Sequence, residues 1–266
     1  MKKLHITKTE EKTLAVTSKV KEYKTHFNFL MQQNGWRPAK MHLLLGATGS
    51  GKSSLVRSLL LDFVTNNPKI KVGVYLSEES EDDFKTELVL QGHNLNDYEI
   101  FIHSEADKRV DQNGFFKLLH DAQLEDIRFF IFDNLTTSRL YNDLKVKEQG
   151  AFADRLKTAA RVTGMAILLI AHTNAETNSQ TNRLIAETDI RGSKTIVNLV
   201  EFLYIMQKFE AAKTIFQTLR IYKHRSQKPD CKLFKLIFNK ERGIYEYDAA
   251  LNFNDLKKVF HARDKF

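Results

Sequence analysis

The chain has 266 residues, 42% of them hydrophobic, with only 11 glycines and 3 prolines. That bounds it to one large globular domain, or a domain with a small appendage, and excludes a low-complexity or fibrous chain. A lone cysteine, Cys231, excludes a disulfide framework, no apolar stretch follows the basic start Met1-Lys2-Lys3, and no run is long enough to span a bilayer, so a soluble cytoplasmic protein without a membrane role is expected. The net charge of +8 is uneven: residues 1–40 carry nine Lys/Arg against three acids and residues 211–266 thirteen against six, while the middle is slightly acidic, a distribution suited to a polyphosphate partner and equally open to a solvated lysine-rich surface.

Residues 9–33 lack Gly and Pro and place Leu14, Val16, Val20, Tyr23, Phe27, Leu30 and Met31 at roughly helical spacing, so residues 1–35 read as an N-terminal helical extension or linker. Trp36 and Pro38 mark the turn into the domain proper, 36–266. Met41-His42-Leu43-Leu44-Leu45 is a buried strand, followed by Gly46-Ala47-Thr48-Gly49-Ser50-Gly51-Lys52-Ser53 and then by Ser54 and an apolar helix. This is G-x-x-x-x-G-K-[ST] in its strand–loop–helix context. Glycines let backbone N–H groups converge on phosphate oxygens at a positive helix end, so residues Gly46 to Ser54 are assigned to a nucleoside triphosphate, ATP. Lys52 would reach the β/γ-phosphates and Ser53 would ligate Mg²⁺.

A strand over 70–76 leads to Ser77-Glu78-Glu79-Ser80 and a helix over 81–90; a strand over 99–102 precedes a helix over 113–122. Carboxyl ends of parallel strands are where ligands sit, so Glu78 and Glu79 would lie beside the phosphate loop and supply the base for the attacking water. The two are not separable by type, and Glu79 is placed first. Arg128-Phe129-Phe130-Ile131-Phe132-Asp133 is an apolar strand ending in the carboxylate that would hold Mg²⁺. Asn134 follows it, so the base does not come from the adjacent position. A helix over 147–163 and a strand over 166–171 follow, then a polar segment over 174–188 that reads as an exposed mobile loop. After residue 200 the pattern becomes successive strands, 200–206, 214–223, 232–238 and 243–247, an antiparallel extension of a mostly parallel sheet flanked by helices. No motif fixes a base-stacking residue; Tyr222 and Tyr245 are candidates by type alone.

The ordered set of the phosphate loop, Leu76-Ser77-Glu78-Glu79-Ser80, Asp133, Ile167–His172, Asp189-Ile190-Arg191-Gly192-Ser193 and Tyr222-Lys223-His224-Arg225 resembles the RecA-type P-loop ATPases. Within them it is most similar to the DnaB-like hexameric replicative helicases, over roughly residues 36–248. The resemblance implies an α/β RecA-like core. It also implies that His172 senses the γ-phosphate and that loops near 135–147 and 174–193 bind single-stranded DNA. On those loops the contacts would come from Arg191, Gly192 and Ser193, with Lys194, Arg183, Lys145 and Lys147 as helpers beside them. It further implies that Arg225, with Lys223, reaches a neighbouring subunit's ATP as an arginine finger, in a homo-oligomer, a hexamer, with primase or other replication proteins as further partners. The expected function is therefore an ATP-driven helicase or translocase. The alternatives are a RecA-, RadA- or KaiC-like ATPase of recombination or regulation, and an ATP-dependent assembly or loader protein.

Overall fold

The computed structural model describes residues 22–91, 97–174, 184–211, 214–225 and 233–251. Five strands lie parallel in the order expected of alternating strand–helix units: β1 (Met41–Gly46), β2 (Lys71–Leu76), β3 (Ile100–Ser104), β4 (Ile127–Asp133) and β5 (Ala166–His172). They continue through β6 (Phe202–Ala211), β7 (Thr214–His224), β8 (Leu233–Asn239) and β9 (Ile244–Ala250) into one nine-stranded sheet, in the order β3-β2-β4-β5-β1-β6-β7-β8-β9. β6 is parallel to β1, and β6 to β9 then run antiparallel to one another. The fold is thus the α/β RecA-like core with an antiparallel C-terminal extension.

Both faces of the sheet are covered, which is why its central strands are apolar without alternation. Leu44, Leu168 and Ile170 enter one core, and Leu43, Leu45, Ile167 and Leu169 enter the other. The helices are α1 (Asn28–Met31), α2 (Lys52–Asn66), α3 (Glu81–Leu90), α4 (Gln112–Leu124), α5 (Arg139–Asn142), α6 (Val146–Thr163) and α7 (Thr195–Leu199). Their starts follow local chemistry: Ser80 caps α3 by accepting the Asp83 N–H at 3.1 Å, and Asp111 caps α4 by accepting that of Gly114 at 2.7 Å. α6 stops at Gly164, whose φ of 74° needs no Cβ-bearing residue. Among the described residues no helix is long and apolar enough to cross a membrane.

Two expectations need correction. Residues 22–35 are not a separate linker. Only the four residues of α1 are helical, and Tyr23, Phe27, Phe29, Leu30 and Trp36 are buried in the core of the domain. The carboxylate of Asp248, on β9, accepts the N–H groups of Asn28 at 2.6 Å and Phe29 at 2.8 Å, fastening the segment to the far edge of the sheet. The apolar spacing was therefore satisfied within this chain; residues 1–21 lie outside the described residues. Nor is the described end of the 174–188 segment an exposed loop. Ile185 is buried, its N–H donates to Gln207 Oε1 at 3.1 Å, and a 3₁₀ turn over Glu187–Asp189 follows. Residues 175–183 lie outside the described residues.

Candidate active site

β1 ends between two parallel neighbours, with Gly46 opposite His172 of β5 and Met206 of β6. A Cβ at Gly46 would lie 2.8 Å from the Met206 carbonyl oxygen and 2.9 Å from Ser50 Oγ, so the loop turns here only because the side chain is absent. Gly51, with φ of 89°, directs the chain into α2, whose first residue is Lys52. The Lys52 ammonium donates to the carbonyls of Gly46 (2.9 Å) and Ala47 (2.7 Å), so it hangs over the loop it follows. Burial pulls its pKa down to about 8, against the opposing pull of Asp133 and Glu78. Ser50 Oγ is buried without a hydrogen-bond partner among the described residues. Thr48, Gly49 and Ser53 are exposed and Ser54 is half-buried. An ammonium curled onto loop carbonyls and an orphaned hydroxyl are the groups a triphosphate would engage, so these residues fit the nucleotide.

The acids converge from two adjacent strands. Leu76, the last residue of β2, pairs with Asp133, the last of β4, and Glu78 and Glu79 follow two and three residues on. Burial, then the charges of Glu79 and Glu78, pushes the Asp133 carboxyl up to about 7, with Lys52 and Arg57 opposing. A buried carboxyl crowded by two others suits a cation. Among the described residues no three His, Cys, Asp or Glu side chains are grouped as a complete ligand shell. A Mg²⁺ ion would therefore draw on Asp133 and the exposed Ser53 hydroxyl together with the phosphates and water, which suits this ion's preference for incomplete protein coordination.

The two glutamates have different surroundings. Glu79 is ion-paired with Arg57 of α2 at 2.7 Å, its backbone carbonyl accepts the Ser104 hydroxyl at 2.7 Å, and burial raises its pKa despite the guanidinium. Glu78 is half-exposed and faces His172 Nε2 at 3.5 Å; hydrogen bonding from His172, with lesser help from Thr137 and Lys52, holds its carboxyl below the ordinary range. The turn after β4 ties these pieces together. Asn134 Oδ1 accepts from the Thr136 N–H and hydroxyl at 2.9 and 2.8 Å, Thr136 Oγ1 accepts the His172 N–H at 2.9 Å, and Ser77 Oγ accepts the Asn134 N–H at 2.9 Å. Ser77 is in the Leu76–Ser80 turn quoted from the sequence but has no role there, whereas Arg57, Thr136 and Thr137 are not singled out by the sequence, and their residue types carry no signal that would find them.

From His172 the chain leads to the expected strand-binding residues. The His172 carbonyl accepts the Arg191 N–H at 2.9 Å, and Thr173 bridges Ile190. Arg191, Gly192 and Lys194 are exposed. Ser193 is not available to a nucleic acid: it is 2% exposed, its N–H donates to the Tyr141 hydroxyl at 3.2 Å, and its own hydroxyl accepts the Thr195 N–H at the start of α7. Arg183 lies outside the described residues. Lys145 and Lys147 are exposed near the start of α6.

Lys223 and Arg225 stand apart from all of this. β6 runs with β1, so Phe202 lies beside His42 and Met206 beside Gly46; β7 returns, bringing His224 opposite Phe202. The end of β7 is therefore at the start of β1, about 13 Å along the strands from the phosphate loop at about 3.3 Å per residue. There Lys223 donates to the Val197 carbonyl and, at 3.3 Å, to that of Asn198, which the Arg225 guanidinium also grips. Tyr222 is exposed, whereas Tyr245 is buried and so is not a stacking surface.

A family model described as an AAA domain matches residues 7–178. A solved structure of a DnaB-like replicative helicase, described with its interactions with primase, superposes with a TM-score of 0.72 at 14% identity. The match covers 90% of this chain and 66% of the helicase chain, so it is a likeness of fold to part of that protein. No curated protein matches the sequence.

Proposed function

The chain belongs to the AAA domain family, and from that premise we propose that it is a Mg²⁺-dependent ATP hydrolase that translocates on single-stranded DNA as a hexameric ring. The observation that carries the reading is that the candidate residues fall at opposite ends of the sheet. Lys52, Glu78, Asp133 and His172 gather at the carboxyl ends of β1, β2, β4 and β5, while Lys223 and Arg225 sit at the opposite end. Cations so placed cannot serve their own subunit's phosphates, and a planar, permanently charged guanidinium is suited to a neighbour's.

In this reading the loop amides and Lys52 hold the triphosphate. Glu78, kept ionised by His172, orients water in line with the γ-phosphate and takes its proton. Glu78 replaces Glu79 as the first choice of base because Glu79 is committed to Arg57. When bound, Mg²⁺ would be held by Ser53 and Asp133 and would neutralise charge on the β- and γ-phosphate oxygens. Arg225 of the adjacent subunit, with Lys223, offsets the charge that builds as the bond to the leaving ADP breaks. His172 touches Glu78 with its ring and Arg191 with its carbonyl, so it joins the state of the phosphates to the strand contacts at Arg191, Gly192 and Lys194. A primase-type partner is proposed by analogy with the helicase of similar fold, described with its interactions with primase, and a cytoplasmic location is proposed from the single cysteine of the sequence.

The test is ATP turnover with and without single-stranded DNA, alongside the mass of the assembly formed with ATP. A six-membered ring whose turnover rises with DNA, and which unwinds a forked duplex, supports the proposal. A protein that remains monomeric with ATP and DNA refutes it, strand exchange without unwinding favours a recombination ATPase, and turnover indifferent to DNA favours an assembly factor.

A further inference from the structure

Beside Met206 of β6, two polar side chains of the antiparallel extension reach the phosphate loop among the described residues, those of Gln217 and Tyr245. Gln217, on β7, donates from Nε2 to the Ser50 carbonyl at 3.0 Å. Tyr245, on β9, donates its hydroxyl to Gln217 Oε1. Gln217 is held in one sense because a carbonyl can only accept, so the amide group must face Ser50 and the amide oxygen must face the tyrosine. Tyr245 is fixed in turn. It is 2% exposed, its ring lies 4.9 Å from that of Phe238, and its N–H donates to Ser58 Oγ of α2 at 2.8 Å. Burial lifts its hydroxyl well above the ordinary phenol range, so it remains a neutral donor.

This contact falls on the peptide that matters most for phosphate. The Ser50 carbonyl and the Gly51 N–H belong to one planar unit and point in opposite directions. Fastening the carbonyl to Gln217 therefore turns the Gly51 N–H to the other side of the loop, and among the described residues no backbone carbonyl accepts it. The packing is close enough to enforce this: a Cβ at Gly51 would meet Tyr245 Oη at 2.7 Å and Gln217 Nε2 at 2.8 Å.

We infer that Gln217 and Tyr245 are positioning residues that preset the Ser50–Gly51 peptide for phosphate, so that the C-terminal extension sets nucleotide affinity. The inference rests on the nucleotide-binding reading above and adds residues that no phosphate-loop motif contains. Lys223 lies at the end of the same strand and Arg225 just past it, so β7 joins a subunit's own loop to the cations proposed to serve its neighbour.

The experiment is calorimetric titration of Mg·ADP into the full chain, with melting curves for each variant and KM and kcat for ATP. Tyr245→Phe removes one neutral hydrogen bond and is expected to weaken ADP binding about threefold to fivefold. Gln217→Glu keeps the shape but sets a carboxylate against the Ser50 carbonyl, and about tenfold or more is expected. The double variant should be no weaker than Gln217→Glu alone, because both act through one peptide. KM should rise with the affinity loss while kcat falls less, a split that a general loss of stability would not produce. Wild-type affinity in folded Gln217→Glu, or in Tyr245→Phe should the former not fold, overturns the inference while leaving the nucleotide reading intact. Absence of ADP binding by the wild type, or undiminished binding by Lys52→Ala, overturns the nucleotide reading itself and this inference with it.

Discussion

Glu78→Gln and Glu79→Gln should fail in opposite ways. Both exchanges are nearly isosteric and both remove a charge from the same short turn, but the charges have different tasks. Glu79 forms an ion pair with Arg57 whose side chains are only 12% and 25% exposed, and the guanidinium also lies 5.6 Å from the Phe84 ring centroid. Neutralising Glu79 leaves a largely buried cation short of its counter-ion. For a pair lying between the exposed and fully buried extremes the cost is about 2 kcal/mol. In a chain of this size that lowers Tm by about 5 °C. Glu78 is half-exposed and its partners are His172 and Thr137, so its neutralisation should leave Tm nearly unchanged. What it loses is the positioned base, worth about 10²- to 10⁴-fold in kcat. Melting by differential scanning fluorimetry and single-stranded-DNA-stimulated phosphate release separate the two. The reasoning is refuted if Glu79→Gln abolishes turnover at full stability while Glu78→Gln turns over normally.

Two further outcomes follow from contacts elsewhere. His172→Ala should bind ATP within about twofold of wild type, since the loop amides and Lys52 remain, yet lose the rise in turnover on adding single-stranded DNA; normal stimulation would break the proposed link to Arg191. His26 is ion-paired with Asp62 on α2, which raises its pKa above 6.5, with Glu246 and Asp248 adding to the effect. A group raised on folding contributes stability that is complete below its unfolded pKa and vanishes as pH rises through the folded value. The stability advantage of wild type over His26→Gln should therefore be present near pH 6 and absent near pH 9, amounting to less than about 1 kcal/mol for so exposed a ring, as read from melting curves at the two pH values; an advantage that grows with pH would contradict the assignment.

The sheet was legible because a parallel strand covered on both faces leaves an apolar run, uninterrupted in Ala166–Ala171 and broken by the buried His42 in Met41–Leu45. The phosphate loop was legible because its conformation demands glycine at Gly46 and Gly51. Residues 22–35 misled because helical spacing records that a face is buried without recording what buries it. The partner is Asp248, two hundred and twenty residues from Asn28. Glu78 and Glu79 are equal in sequence; what distinguishes them is Arg57 reaching from α2 and His172 from β5. Ser193 looked like a surface contact because a small polar residue after glycine reads the same whether it meets phosphate or caps a helix.

The central claim is that one site is built from two subunits. It is tested by mixing Lys52→Ala protein, which lacks the cradle but keeps the finger, with Arg225→Ala protein, which has the reverse. Each alone should be inactive in ATP hydrolysis while still assembling. Mixed assemblies place intact cradles beside intact fingers and should recover turnover. Full turnover by Arg225→Ala alone, or co-assembled mixtures that remain inactive, would contradict it.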